Sequence, residues 1–220
     1  IKEAFSIEEV RVYLLIIFSA VALICFDTFS LYGTVAETIR HAFFQVGSIM
    51  TTTGFATTDY NSWPMLSKTI LIILMFIGAC AGSTAGGIKI SRITILFKTI
   101  KKELHILMHP RLIKKIKVDG HAVPHEVIRS TNVFIALYFF IFFISFLLIS
   151  VDNFDFTSSF TAVAATLNNI GPGLDMVGPT GNYANFSIFS KYVLMFDMLA
   201  GRLEIFPMLI LFHPACWKKY

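Results

Sequence analysis

Charge is scarce in this chain: 15% of its 220 residues are Asp, Glu, Lys or Arg, while 55% are hydrophobic. So apolar a composition excludes an ordinary water-soluble globule. Cysteine is scarce too. Cys25, Cys80 and Cys216 are odd in number, scattered, and set in or beside apolar segments, which excludes a disulfide framework or a zinc site. Catalytic constellations are missing. Four of the six histidines (His105, His109, His121 and His125) fall in one polar stretch and read as solvated. Gly82 and Gly87 have the separation of a phosphate-binding loop, yet Ile88 intrudes where Lys should follow and no strand precedes them. No nucleotide is therefore expected on this chain. Gly-x-Ser-x-Gly is absent as well, because Thr84 sits between Gly82 and Gly86. No enzyme is left to read, and no catalytic residue is assigned. The first apolar segment is not a secretory leader, having no initiator Met, basic start or small-residue cleavage site. Ile1 as first residue reads as the start of a fragment or processed piece.

What the chain has is apolar length. Mean hydropathy is +0.71 and 23 residues are Phe. Four segments (10–27, 65–97 with an interruption, 132–151 and 186–212) are long enough to cross roughly 30 Å of hydrocarbon. The stretch 98–129 holds eight Lys or Arg against three Asp or Glu. The other side collects Asp27, Glu37, Asp59, Asp152, Asp155 and Asp175. Basic loops stay in the cytoplasm, so 98–129 and the C-terminus with Lys218 and Lys219 are expected there. The acidic outer side would raise the local cation concentration, within the limits of salt screening. The net charge of +4 is then a topology signal, and no nucleic-acid partner is expected. Trp63 and Trp217 fit aromatic belts at the outer and inner interfaces.

Two short polar runs carry the functional signal. Thr51-Thr52-Thr53-Gly54-Phe55 and Asn168-Asn169-Ile170-Gly171-Pro172 each follow a short amphipathic stretch and precede a long apolar one. That order suits a re-entrant loop: down to mid-membrane as a helix, back out as extended backbone. Small side chains and Gly let carbonyl oxygens replace water around a dehydrated cation. Thr52, Thr53, Asn169 and Ile170 are the positions expected to present oxygens to it. Thr34-Val35-Ala36-Glu37 has the form of a capping box opening a helix toward Met50, and Asp155 or Thr157 can cap a second toward Leu167. The C-terminal end of each helix would face the ion with partial negative charge.

Architecture repeats. Gly54 and Gly171 are 117 positions apart, as are Phe43 and Phe160; Ser67-Lys68 and Ser190-Lys191 are 123 apart. The chain therefore reads as an all-α membrane protein of two parallel repeats, each of spanning helix, pore helix, filter and spanning helix. The expected parts are 1–108, a basic cytoplasmic linker 109–125, and 126–220. Polar, non-helical backbone at membrane depth needs a pore or protein cover.

The second spanning segment is broken by small residues, Gly78-Ala79-Cys80-Ala81-Gly82-Ser83-Thr84-Ala85-Gly86-Gly87. Glycine weakens a helix by roughly 1 kcal/mol against Ala. Either this is a loop that can block an ion path, or Gly78, Gly82 and Gly86 form a small-residue face for helix packing. Lys89 and Arg92 after it can snorkel to the cytoplasm. Arg202 and Glu204 in the last segment, with Asp197 nearby, are intramembrane charges that need a partner or cavity. Arg202 can also act as an electrostatic barrier to a cation.

Together these residues resemble the membrane subunit of Trk potassium-uptake systems, in the Trk/Ktr/HKT superfamily. Thr51 through Phe55 is similar to that family's third filter. GACAGSTAGGIK, Gly78 through Lys89, is similar to its intramembrane gating loop. Asn168 through Gly173 with Val177-Gly178-Pro179 and Asn182-Tyr183-Ala184 is similar to its fourth filter, and Gly201 through Phe206 to its last-helix signature. The resemblance implies K⁺ as the transported ion, and four such units around a pseudo-fourfold potassium-channel-like pore, of which this chain is half. Thr51, Thr52, Thr53, Gly54, Asn168, Asn169, Ile170 and Gly171 become filter residues. Gly82, Ser83, Thr84, Ala85, Gly86, Gly87 and Lys89 become the gate, with Arg202 facing it. The implied partners are an upstream half with the first two units, a second copy in a homodimer, a cytoplasmic nucleotide-binding regulatory ring (TrkA-like) and the bilayer of a bacterial inner membrane. Two other readings compete. One is a secondary cation symporter with a substrate site at the broken helix, which needs coupling acids such as Asp197 or Glu204. The other is a structural subunit whose glycines serve packing.

Overall fold

The computed structural model describes residues 5–109, 115–203, 205–211 and 217. Arg111, Lys114, Glu204, Cys216, Lys218 and Lys219 lie outside the described residues, and so does the end of the expected 186–212 segment.

Among the described residues helix predominates. Helix α1 is Glu8–Tyr32, α2 Val35–Met50, α3 Met65–Ile77 and α4 Ile90–Met108. A two-residue hairpin pair, β1 (Lys117–Val118) and β2 (His121–Ala122), leads to α5 (His125–Ile149). Then come α6 (Phe156–Leu167), α7 (Ile188–Leu203) and α8 (Ile205–Leu211). Helices α1 and α5 have 25 residues each, about 37 Å at 1.5 Å per residue, long enough to cross a membrane. Their apolar side chains point outward: Phe26 is 87% exposed, Leu147 71% and Leu15 68%. Large exposed apolar surfaces of this kind are tolerated where the surrounding solvent is lipid.

Helix α1 runs past both ends of the expected 10–27 segment. Glu8 and Glu9 occupy its first turn, where acidic side chains meet the positive end of the helix dipole. Asp27 does not end it, because its carboxylate accepts from Ser67 N (3.0 Å) and Ser67 Oγ (2.6 Å) at the start of α3. Gly33, in the left-handed region, stops the helix. The second half repeats the device: Asp152, just after α5, accepts from Ser187 N (2.9 Å) beside the start of α7. Asp27 and Asp152 are thus both engaged at the start of a later helix.

Two local expectations change, for Thr34 and Trp63, and one choice is decided, for Asp155. Thr34 does sit at the start of α2, but its hydroxyl meets the Glu37 carboxylate (3.4 Å) and caps no backbone N–H. Asp155 is the cap of α6, accepting from Thr157 N at 2.9 Å. Trp63 is buried, not in an interfacial belt: its indole donates to Tyr32 Oη at 2.7 Å, which satisfies the one polar atom of the ring inside the core. Trp217 is exposed.

The halves meet across aromatic rings. Phe76 of α3 packs against Phe142 of α5 (5.2 Å between centroids) and Phe160 of α6 (6.1 Å). Away from these rings the Asn61 amide pairs with the Asp175 backbone, accepting from its N–H (2.9 Å) and donating to its carbonyl (3.2 Å).

Candidate functional site

The two short polar runs leave α2 and α6 by the same route. Thr51 N donates to Gly47 O, Thr52 N to Ile49 O and Thr53 N to Ser48 O. Asn168 N donates to Ala164 O, Asn169 N to Thr166 O and Ile170 N to Ala165 O. Each bond has its counterpart 117 positions on. The backbone signs agree as well: φ is 54° at Thr52 and 55° at Asn169, then 79° at Gly54 and 109° at Gly171. A β-branched residue such as Thr rarely takes a positive φ, so Thr52 holds a strained conformation fixed by its surroundings. The loops also touch. A Cβ on Gly54 would overlap the Ile170 carbonyl oxygen.

Between α3 and α4 the chain leaves the helix axis and returns to it. Ile88 N donates to Phe76 O, Lys89 N to Ile77 O and Ile90 N to Ala79 O, all at 3.1 Å. These bonds bring the start of α4 back to the end of α3, with residues 80–87 as an excursion. Its neck is pinched at glycine. Gly78 and Gly87 have positive φ, and a Cβ on Gly87 would come within 3.1 Å of Gly78 Cα. The helical packing face formed by Gly78, Gly82 and Gly86 is therefore ruled out, since none of the three lies in a helix. Gly86 instead backs onto the second loop, where a Cβ would strike Asn168 O. Its N–H lies 3.4 Å from Thr52 Oγ1 in the first. Gly82, at the far side, has open space around it.

Arg202 on α7 reaches this excursion, donating from Nη1 to Thr84 O at 2.6 Å. Its neighbour Gly201 lets α7 approach so closely that a Cβ there would overlap Leu167 O. A cavity of about 260 Å³ is lined by Ser83, Thr84, Lys89, Arg92, Tyr138, Arg202 and their neighbours. Lys89 and Arg92 do not extend away as snorkelling would have them. Lys89 Nζ turns back to Ser83 O (3.4 Å), and Arg92 stacks over Phe134 at 3.9 Å from the ring centroid. So Thr52, Gly54, Asn168, Ile170, Gly86, Thr84, Lys89 and Arg202 are gathered in one region. Asp197 stands apart: fully buried, it accepts from Ser145 Oγ (2.6 Å) on α5 and does not meet Arg202.

Several contributors were not singled out from sequence. Ser48 Oγ donates to Phe55 O at 2.6 Å, bracing the first loop. The second has Ala165 at the matching position, and its brace is Tyr183, whose hydroxyl donates to Gly171 O at 2.6 Å. Tyr138 Oη donates to Asn168 Oδ1 (2.8 Å), holding the buried amide. Glu9 Oε1 accepts from Ala81 N (2.6 Å) in the excursion and from Ser91 N (3.1 Å) at the start of α4. An acidic residue opening a helix reads as ordinary dipole compensation, so nothing in the sequence marked it. Tyr183 lay within a quoted motif but had no role.

Residues 8–219 match the TrkH family, described as a cation transport protein. The Trk system potassium uptake protein TrkH of Salmonella typhimurium is 40% identical over 190 residues, covering 86% of this chain and 39% of that protein. The Trk system potassium uptake protein TrkG of Escherichia coli is 37% identical over 218 residues, covering 96% and 43%. Among solved structures, the potassium transporter TrkH from Vibrio parahaemolyticus superposes with a TM-score of 0.88 at 37% identity, over 99% of this chain and 46% of that one. The chain spans about two fifths of the length of these curated relatives.

Proposed function

The chain belongs to the TrkH family of cation transport proteins, and from that premise we propose that it forms half of a potassium-conducting pore. The segments 1–108 and 126–220 are two parallel pore units joined by a cytoplasmic linker. Thr51–Thr52–Thr53–Gly54 and Asn168–Asn169–Ile170–Gly171 line the ion path with oxygens, Thr52, Thr53, Asn169 and Ile170 nearest the ion. The excursion, Gly82 through Gly87 with Lys89, blocks the path from below, and Arg202 anchors it and repels cations. An upstream half supplies the other two filter strands. The assembled protein sits in a bacterial inner membrane with the 98–129 segment and C-terminus cytoplasmic, as a homodimer on a nucleotide-binding regulatory ring.

The observation that carries this reading is the hydrogen-bond and φ pattern shared by the two loops at an offset of 117. Two unrelated turns would not repeat three backbone bonds and two positive-φ positions. Carbonyl rings of fixed geometry replace an ion's hydration shell. The test is uptake of K⁺ and Na⁺ by the full-length protein in cells lacking other potassium importers. Gly54→Ser and Gly171→Ser are expected to weaken K⁺ preference at equal expression; unchanged preference in both would sink the filter assignment.

A further inference from the structure

We propose that Glu9 is a positioning residue for the excursion, a carboxylate clasp that holds residues 80–87 beneath the two loops. The proposal rests on the pore reading for its consequence, and on geometry for its mechanism. One oxygen of Glu9 receives both Ala81 N and Ser91 N. Ala81 lies inside the excursion; Ser91 lies in the first turn of α4, just past its return. The clasp therefore ties the departing strand to the returning helix from a third element, α1. Bonds to a carboxylate are charge-assisted and roughly twice as strong as neutral ones. The same carboxylate meets the positive end of α4.

The excursion depends on this outside support. Within the neck, Ile88, Lys89 and Ile90 are bonded back to α3 and its end, but a Cβ on Gly82 would meet nothing within 4 Å. At its inner side Gly86 backs onto Asn168 and makes a long bond to Thr52, Arg202 bonds Thr84 O, and Ser83 bonds Cys80 and Lys89. Ala81 N is the point where the outgoing strand is held to α1. Glu8, one residue earlier, faces a different set. It forms an ion pair with Lys98 (2.6 Å), which also donates to Lys117 O, and its own N–H is held by Asp119 of the hairpin (2.6 Å). Glu8 thus anchors α1 to α4 and the hairpin without touching the excursion, and it is the matched control.

The chain carries its own reporter. Cys80 is partly exposed and adjoins Ala81. In a full-length protein whose other cysteines are serine, maleimide modification of Cys80 reads the excursion's mobility. Rates are compared as thiolate rate constants from a pH series, because loss of the nearby Glu9 charge also changes thiol ionisation. Potassium or rubidium flux into liposomes reads the excursion's position. Glu9→Ala should accelerate Cys80 modification and raise flux by about tenfold, the rise expected when the loss of a carboxylate clasp populates an unblocked state that the parent holds well below a tenth. Ion preference should stay unchanged, since neither loop is touched. Glu9→Gln keeps an acceptor oxygen and should fall between. In a protein with the excursion shortened, Glu9→Ala should add no further flux. Cys80 modification no faster than in Glu8→Gln overturns the clasp, whatever the flux does. Faster modification with flux at the parental level supports the clasp and overturns the blocking role given to the excursion. A fall in flux with loss of thermal stability, and no change at Cys80, makes Glu9 a mere folding element and also refutes the proposal.

Discussion

The first and second loops are built on one backbone plan with different side-chain braces. The first is held by Ser48, from the helix that leads into it. The second is held by Tyr183, from the segment that follows it, and by Tyr138 from a neighbouring helix through the Asn168 amide. The backbone bonds and the φ signs are the same in both. Backbone geometry is therefore what the two copies hold in common, and the side chains that enforce it are interchangeable. That is the expected outcome if carbonyl oxygens do the work and side chains only hold them.

The comparison predicts unequal damage from equal substitutions. Gly54→Ser and Gly171→Ser both place a side chain at a positive φ, costing about 1–3 kcal/mol of strain. Gly54 also faces the Ile170 carbonyl, so a Cβ there must move the second loop as well as the first. Gly171 has open space around it. K⁺ over Na⁺ uptake should therefore fall much further for Gly54→Ser. Equal losses would mean that the loops do not support each other across the contact.

A smaller effect separates the excursion from the loops above it. Arg202→Gln removes the charged donor to Thr84 O, worth about 1.5–3 kcal/mol. Flux should rise, K⁺ preference should hold, and shortening residues 80–87 should add less in this background than alone, because both changes act on one obstruction. Liposome flux on the two variants and their combination decides. Additive losses of flux with lower melting temperatures would make Arg202 a packing residue.

Much of this was legible in sequence, and the reasons differ by residue. Long apolar runs announced α1 and α5 because lipid imposes length and composition together. The Thr51–Gly54 and Asn168–Gly171 runs stood out because polar backbone between apolar helices demands an explanation. Asp155 announced its cap through a strictly local bond. Trp63 was misplaced at an interface because its burial depends on Tyr32, 31 positions away. The glycine run left open a packing face or a loop. What decided it, Ile88 and Lys89 bonding back to Phe76 and Ile77, is a choice of backbone partners that no residue type encodes. Glu9 is the same case at longer range.

The smallest expected effect tests whether the braces really are interchangeable. Ser48→Ala removes the donor to Phe55 O, and Tyr183→Phe removes the donor to Gly171 O. Each bond contributes about 1 kcal/mol net. Gly171 is exposed, so water can replace the lost hydroxyl. Phe55, whose oxygen the loss of the Ser48 hydroxyl leaves unpaired, is exposed as well, so water can reach that site too. Ser48→Ala and Tyr183→Phe should accordingly lower the melting temperature by similar small amounts, with both shifting K⁺ preference less than Gly54→Ser. If the braces are equivalent in kind, each variant should perturb its own loop and the two should add, as independent sites do. Strong coupling between them, measured as a double-mutant cycle on K⁺ preference, would show instead that the loops act as one body through the Gly54–Ile170 contact.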